Sequence, residues 1–115
     1  MAIPDFQNIM LPLLQFSSDK KEHSTKEALE HFSKYYNLSD EEKSKLLPSG
    51  REGVFFNRVR WAIWHLKMAG LLVTSKRAHF NITENGTKIL KKNFEKITLA
   101  FLKQLPEYQE IGRAS

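Results

Sequence analysis

The sequence predicts a single, mainly α-helical domain with a small β-hairpin, an α+β fold. The chain has 115 residues, 41% of them hydrophobic, which is enough apolar material for one modest core. Its first two thirds contain capping boxes and apolar residues at helical spacing. Two short runs of branched and aromatic residues follow, joined by a basic link, and these runs have the composition of strands.

Two helices are predicted at the N-terminal end. Pro4 suits the first turn of a helix, because its missing N–H would have no partner there, and apolar spacing extends this helix over about residues 4–17. The segment Ser24-Thr25-Lys26-Glu27 is a capping box, in which the serine and the glutamate each bind a free backbone amide. A second helix is expected after it, closed at Asn37, a residue type that tolerates the left-handed conformation.

A short third helix is predicted after a second capping box. The segment Ser39-Asp40-Glu41-Glu42 opens it, and it is expected to reach Leu46-Leu47. Pro48-Ser49-Gly50 then breaks the chain, because proline and glycine together are typical of a turn.

The most informative segment is an amphipathic helix predicted from Val54 to Ala69 and closed by Gly70. At 100° per residue its apolar side chains share one side, which is the predicted core face. The other side presents two indoles, an amide and two cations, and a helix that turns such groups away from its own core is expected to meet a partner. The core-face residues are Phe55, Val59, Ala62, Ile63, Leu66 and Ala69, and the outward residues are Asn57, Arg60, Trp61, Trp64 and Lys67.

A two-stranded hairpin is predicted next. Residues 71–75 and 79–82 have the composition of strands, and the basic link Lys76-Arg77-Ala78 fits the tip between them.

Two more helices complete the predicted fold. Thr83 can cap a helix that continues through Leu90, and Gly86 inside it is expected to cost about 1 kcal/mol relative to alanine. A last short helix is expected over residues 98–105, stopped by Pro106.

Positive charge is concentrated in the second half of the chain. Residues 1–50 carry 6 Lys and Arg against 8 Asp and Glu, residues 51–103 carry 11 against 3, and residues 104–115 carry 1 against 2. The net charges are therefore −2, +8 and −1, which account for the +5 of the whole chain. Such an excess over half a domain is typical of nucleic-acid binding, although solvated lysines on helices produce part of it.

The composition excludes several classes of function. Without cysteine, the chain has no disulfide, thiolate metal site or cysteine nucleophile, which suits a cytoplasmic protein. No apolar run approaches the roughly 20 residues that cross a bilayer, and the start lacks the pattern of a secretory signal. The four histidines are scattered, and no nucleophile has an adjacent base, so we expect no metal, no cofactor and no catalytic activity. Residues 1–110 are expected to form the domain, and residues 111–115 a tail or the start of a linker.

The predicted order, three helices, a long amphipathic helix and a hairpin, is that of a winged helix. In such a domain the long helix enters the major groove of DNA, which is about 12 Å wide. Asparagine pairs with adenine edges and arginine with guanine edges, and an indole offers an apolar surface to a base methyl or an unstacked base. We therefore assign base reading to Asn57, Arg60, Trp61 and Trp64.

Each base-reading assignment has an alternative. Trp61 is placed as well to seal the edge of the core as to touch a base, and Trp64 also fits a dimer interface. Asn57 and Arg60 are otherwise expected to be solvated or locally paired.

A second set of residues is assigned to phosphates. Free amides and the helix dipole favour an anion just before the long helix, and a basic hairpin tip neutralises phosphates without reading sequence. The alternative for Arg58 is an ion pair with a carboxylate of the second helix, and the alternative for the hairpin is a solubilising tip. The assigned residues are Ser49, Gly50, Arg51, Arg58, Lys67, Lys76, Arg77 and His79.

An ordered set of short segments carries a family resemblance. The segments are Ile3-Pro4-Asp5-Phe6-Gln7, Met10-Leu11-Pro12-Leu13-Leu14, Leu47-Pro48-Ser49-Gly50, Asn57-Arg58-Val59, Trp61-Ala62, Leu66-Lys67, Ala69-Gly70-Leu71-Leu72 and Ile82-Thr83. In this order, up to about Glu110, the chain resembles the N-terminal domain of Mrr restriction-system proteins. Two positions depart from the family pattern: Trp64 has no counterpart, and Ala78 stands where a glycine is common.

The resemblance implies a winged helix that recognises double-stranded DNA carrying modified, usually methylated, bases. It also implies a C-terminal, metal-dependent nuclease domain in the parent protein, whose paired acidic residues and lysine have no counterpart here. Asn57, Arg58 and Trp61 match the family's block, where their roles are partly structural. Which modification is read, and whether a homodimer forms, stay open.

Two other functions stay open beside target recognition. One is a protein-interaction or dimerising winged helix, and the other is a transcriptional regulator that reads unmodified operator DNA.

Overall fold

The computed structural model describes residues 3–108 and has a mainly helical α+β fold, which confirms the predicted class. A 3₁₀ turn at Ser17–Asp19 follows the first helix, and residues 106–108 are helical again. No helix within residues 3–108 combines the length and the apolar character that crossing a membrane requires. The helices are α1 (Phe6–Phe16), α2 (Thr25–Tyr35), α3 (Asp40–Ser44), α4 (Val54–Met68), α5 (Glu84–Lys91) and α6 (Leu99–Leu102), and the strands are β1 (His23–Ser24), β2 (Leu72–Val73) and β3 (His79–Ile82).

Local capping interactions set where the helices begin. Both predicted capping boxes are present, one before α2 and one before α3. The first helix begins later than predicted, because the side chain of Asp5 accepts a hydrogen bond from the amide of Asn8 at 3.0 Å and caps α1. Pro4 therefore precedes the helix instead of lying in its first turn.

Two predicted helix ends are wrong. The helix α3 stops at Ser44 rather than at Leu46-Leu47, because Lys45 is extended and Leu46 pairs with Gly53 as an isolated bridge. The helix α6 covers Leu99–Leu102 rather than residues 98–105.

The core lies mainly between α1 and α4. Leu13 and Leu14 of α1 and Val59 and Leu66 of α4 are completely buried. The predicted core face of α4 is correct except for Ile63, which is only half-buried. His65, which the pattern did not single out, is buried beside that face. The outward side of α4 therefore remains available for another molecule.

The sheet has three strands rather than the predicted two. Its order is β1-β3-β2, and both pairings are antiparallel. The strand β1 has two residues, too few for composition to reveal, and it pairs His23 with Phe80 of β3. The amide of Thr25 donates to the carbonyl of Ala78 at 2.9 Å, which ties the hairpin tip to the start of α2.

His23 joins the sheet to α2 and to the turn after α1. Its Nε2 lies 2.9 Å from an oxygen of Asp19, and its Nδ1 lies 3.1 Å from an oxygen of Glu27. Burial lowers the pKa of His23, but the hydrogen bonds to the two carboxylates outweigh burial, so the net pKa lies above its ordinary 6.5. Hydrogen bonds from the amide of Lys21 and from His23 lower the pKa of Asp19. Hydrogen bonds from His23 and from the amide of Ser24 lower the pKa of Glu27.

We expect this histidine to make the fold less stable as the solution becomes basic. Since its folded pKa is raised, its contribution to the free energy of unfolding is fully present below about pH 6.5 and is lost as the pH rises through the folded pKa. Urea unfolding of the wild type and of His23→Gln, at several pH values from about 5.5 to 8.5, checks this. The difference between the two proteins should be largest at the acidic end, and a difference that grows with pH contradicts the assignment.

Candidate functional site

A groove of about 580 Å³ lies between the outward side of α4 and the hairpin. All four predicted base-reading residues line it, together with Lys67 from α4 and His79 from the hairpin. The sheet positions the hairpin wall, since β3 is held by β1 on one side and by β2 on the other. The fold thus brings together on one surface the residues that the pattern of α4 had turned outward.

Glu52 is a groove residue that the sequence analysis missed. Its Oε2 accepts a hydrogen bond from Nδ2 of Asn57 at 3.2 Å, and its Oε1 accepts one from a guanidinium nitrogen of Arg60. The bonds from Arg60 and from Asn57 lower the pKa of Glu52, which keeps the carboxylate ionised. One signal could have found it: Glu52 is the single acidic residue between Glu42 and Glu84.

Asn57 and Arg60 are therefore locally paired, as one alternative foresaw, yet both remain at the groove. Arg60 is exposed, and its guanidinium also lies 5.5 Å above the ring of Phe56. A single hydrogen bond to Glu52 uses one of the five N–H donors of Arg60 and one of the two donors of Asn57. Each side chain keeps polar atoms that a ligand in the groove can bind.

The two indoles are exposed and rigidly supported. Trp61 is 46% exposed and Trp64 is 43% exposed, so a large part of each indole faces solvent. Their rings pack edge to face at 5.5 Å, and Trp61 stacks on the imidazole of His65 at 5.7 Å. Both indoles therefore present apolar surface to the groove at a defined orientation.

His65 supports the indoles from inside the fold. Its ring stacks on Phe6 at 5.0 Å, and its Nδ1 lies 3.2 Å from the hydroxyl of Tyr108. Burial, with a smaller effect from the charge of Lys103, lowers the pKa of His65. The support beneath Trp61 is therefore an uncharged ring near neutral pH.

The loop before α4 differs from the predicted anion site. The amide of Gly50 donates to the carbonyl of Leu47 at 2.8 Å, so it is not a free donor. Leu46 pairs with Gly53 and closes the loop, which leaves Ser49 and Arg51 exposed at its tip rather than at the start of the helix. The expectation of a free Gly50 amide was wrong, because the loop folds back as a turn.

Arg58 points away from the groove. One of its guanidinium nitrogens donates to the carbonyl of Ile3 at 2.7 Å and to that of Pro4 at 3.3 Å. It holds the segment that leads into α1, and its partners are these carbonyls instead of the carboxylate of α2 considered above. The role of Arg58 is therefore to hold two parts of the chain together.

The hairpin tip carries cations beside the groove. The ammonium of Lys76 lies 3.6 Å from a carboxylate oxygen of Glu22, whereas the exposed Arg77 has no charged partner among the described residues. The Nδ1 of His79 donates to the carbonyl of Arg77 at 2.8 Å, which leaves its Nε2 for another molecule. Ala78 has a φ of 61°, in the left-handed region that favours glycine.

Within residues 3–108, no group of three histidine or carboxylate side chains is placed to hold a metal ion. The arrangement suits recognition: amide, guanidinium, ammonium and indole groups of α4 line one wall, and His79 and Phe80 of β3 line the other.

Comparison with known proteins identifies a family. The family model described as the Mrr N-terminal domain matches residues 6–92, which span α1 to α5 and include the whole groove. Neither the curated proteins nor the solved structures contain a match to this chain.

Proposed function

The chain belongs to the Mrr N-terminal domain family, a domain of restriction systems, and from that membership we propose that it reads modified, in particular methylated, double-stranded DNA. The observation that carries the proposal is the groove, in which Asn57, Arg60 and two exposed indoles lie opposite a basic hairpin. Cleavage belongs, in this proposal, to a separate C-terminal nuclease domain of the parent protein.

The mechanism follows the geometry of a winged helix, an interpretation that the order of α4, β2 and β3 supports. The helix α4 lies in the major groove, where Asn57 and Arg60 face base edges. A methyl group on a base packs against Trp61 or Trp64, and the apolar contact stabilises the modified base over the unmodified one. The indoles discriminate by shape and apolar contact, whereas the amide and the guanidinium discriminate by hydrogen bonding.

Phosphate contacts set affinity and register in this proposal. Arg51, Lys76 and Arg77 are exposed cations next in the chain to the groove residues Glu52 and Ala78 or close to them. Ser49, Lys67 and His79 contribute beside them, whereas Gly50 is left out because its amide binds the carbonyl of Leu47. Arg58 is left out of this set, because the chain's own N-terminal carbonyls bind it.

Binding to duplex DNA should depend steeply on salt. If about six phosphates are engaged, the slope of log affinity against log salt concentration should be near −5, because each neutralised phosphate releases condensed counterions. Fluorescence anisotropy with a labelled duplex at several salt concentrations measures the slope. A flat profile would remove the electrostatic basis of the proposal.

The modification is tested with duplexes of one sequence that differ only in 5-methylcytosine, N6-methyladenine or neither. Tighter binding to one of the modified duplexes supports the proposal. Preference for the unmodified duplex instead supports a transcriptional regulator.

A protein-interaction domain is the second candidate, and the exposed indoles favour it. Two exposed tryptophans that pack on one another on a helix surface are typical of a buried protein interface. Sedimentation of the wild type and of Trp64→Ala at several concentrations distinguishes a dimer from a monomer.

A further inference from the structure

We propose that Glu52 determines the specificity of the groove by holding Asn57 and Arg60 in the orientations that read bases. The inference deepens the proposed function and rests on it. It adds a residue to which neither the family match nor the pattern of α4 gives a role.

The geometry makes Glu52 a shared anchor. Its two carboxylate oxygens are divided between two partners: Oε2 binds Asn57 and Oε1 binds Arg60. Glu52 precedes α4, and its partners lie five and eight residues further along, so one anchor before the helix controls two side chains on successive turns. The Glu52 side chain is 23% exposed, against 58% for Arg60, so the anchor is the better shielded partner.

Glu52 orients Asn57 and Arg60 and leaves some of their hydrogen-bonding groups free for a ligand. A carboxylate only accepts hydrogen bonds, so the NH₂ group of Asn57 must face Glu52, and the amide oxygen is turned away from it. That leaves an oxygen acceptor and a second N–H for the paired contact that an adenine edge requires. Arg60 likewise keeps donors for a guanine edge after one nitrogen binds Glu52.

A carboxylate in a DNA-binding groove also opposes binding. Glu52 is the single acidic residue among those that line the groove in the described part of the chain, and its charge repels phosphates. A residue that costs affinity for every duplex is expected to contribute to discrimination in return, since specificity is a difference between affinities. Removing the charge of Glu52 should therefore raise the affinity for unrelated DNA and lower the discrimination between duplexes.

The test is the variant Glu52→Gln, which has the same shape and no charge. Fluorescence titration with the preferred duplex and with duplexes in which one base pair is exchanged should show discrimination between them reduced about tenfold, the size of one paired base contact. Affinity for an unrelated duplex should rise about twofold, because one repulsive charge near the phosphates is gone. Glu52→Asp keeps the charge but has too short a side chain to reach both partners, so it should lose discrimination without gaining affinity.

Glu22→Gln is the matched control. Glu22 is also an acidic residue that binds one hydroxyl and one cation, Ser75 and Lys76, but it touches neither Asn57 nor Arg60. It should raise non-specific affinity by a similar factor and leave discrimination unchanged. Glu52→Gln should have no further effect on discrimination in a chain that already carries Asn57→Ala and Arg60→Ala.

Several results overturn the inference. The inference is wrong if Glu52→Gln leaves discrimination unchanged, or if Glu22→Gln loses as much discrimination as Glu52→Gln. It is also wrong if Glu52→Gln still lowers discrimination in a chain without Asn57 and Arg60. A wild type that binds DNA but treats all duplexes alike overturns it while leaving DNA binding in place. A wild type that binds no duplex overturns the proposed function itself, and the two failures are thereby told apart.

Discussion

The variant N57A/R60A is expected to bind the preferred duplex about a hundredfold more weakly than the wild type. Each paired contact to a base edge contributes about 1–3 kcal/mol of discrimination, and this variant removes two. The loss should be less than the sum of the single variants, because both side chains share Glu52 as a partner. Affinity for an unrelated duplex should fall far less, and the salt slope should stay nearly unchanged, because neither side chain is assigned to a phosphate.

The measurement is competition between the preferred and an unrelated duplex at one salt concentration. The matched control, N8A/K34A, removes one amide and one cation from exposed positions on α1 and α2, away from the groove. It should leave the ratio of the two affinities unchanged. Equal losses in both variants, or no loss in N57A/R60A while the chain self-associates, would favour the protein-interaction candidate.

Gly86→Ala is expected to lower the free energy of unfolding by about 2–3 kcal/mol, the usual cost of overpacking a core. Helix propensity alone predicts a change of the opposite sign, since alanine is favoured over glycine in a helix by about 1 kcal/mol. The structure explains the reversal: a Cβ atom at Gly86 would overlap the backbone carbonyl of Leu71 and lie 2.7 Å from a side-chain carbon of Ile82. Backbone cannot move aside as the end of a flexible side chain can.

Urea unfolding at a single pH measures this difference. Gly53→Ala is the control, because a Cβ there would meet its nearest neighbours at ordinary distances of 3.7 and 3.8 Å. Its effect should stay under about 1 kcal/mol, the range for an exchange at the start of a helix. Stability of Gly86→Ala at or above that of the wild type would mean that α5 does not pack closely on the segment before the hairpin.

Local signals predicted much of the fold correctly. The serine and glutamate of each capping box lie three residues apart, so the interactions that start α2 and α3 can be predicted from four consecutive residues. The core face of α4 follows from a constant 100° rotation per residue. The strand β1 was missed because two residues carry no periodicity, and it exists only through its pairing with β3.

The candidate site was predicted in part for the same reason. Periodicity placed Asn57 and Arg60 on the outward side of α4, and they do line the groove. It had no means to show that Arg58 binds the carbonyls of Ile3 and Pro4, more than fifty residues away in sequence.

The amino-acid order by itself determined where most helices begin, which side of α4 is apolar and where the positive charge lies, because these depend on neighbours within one or two helical turns. Tertiary structure alone decided that α4 and the hairpin face each other across a groove, that Glu52 holds two of its residues, and that Gly86 has no space for a side chain. Each of these depends on contacts between segments that folding brings together, and helical periodicity and composition do not indicate which distant segments come into contact.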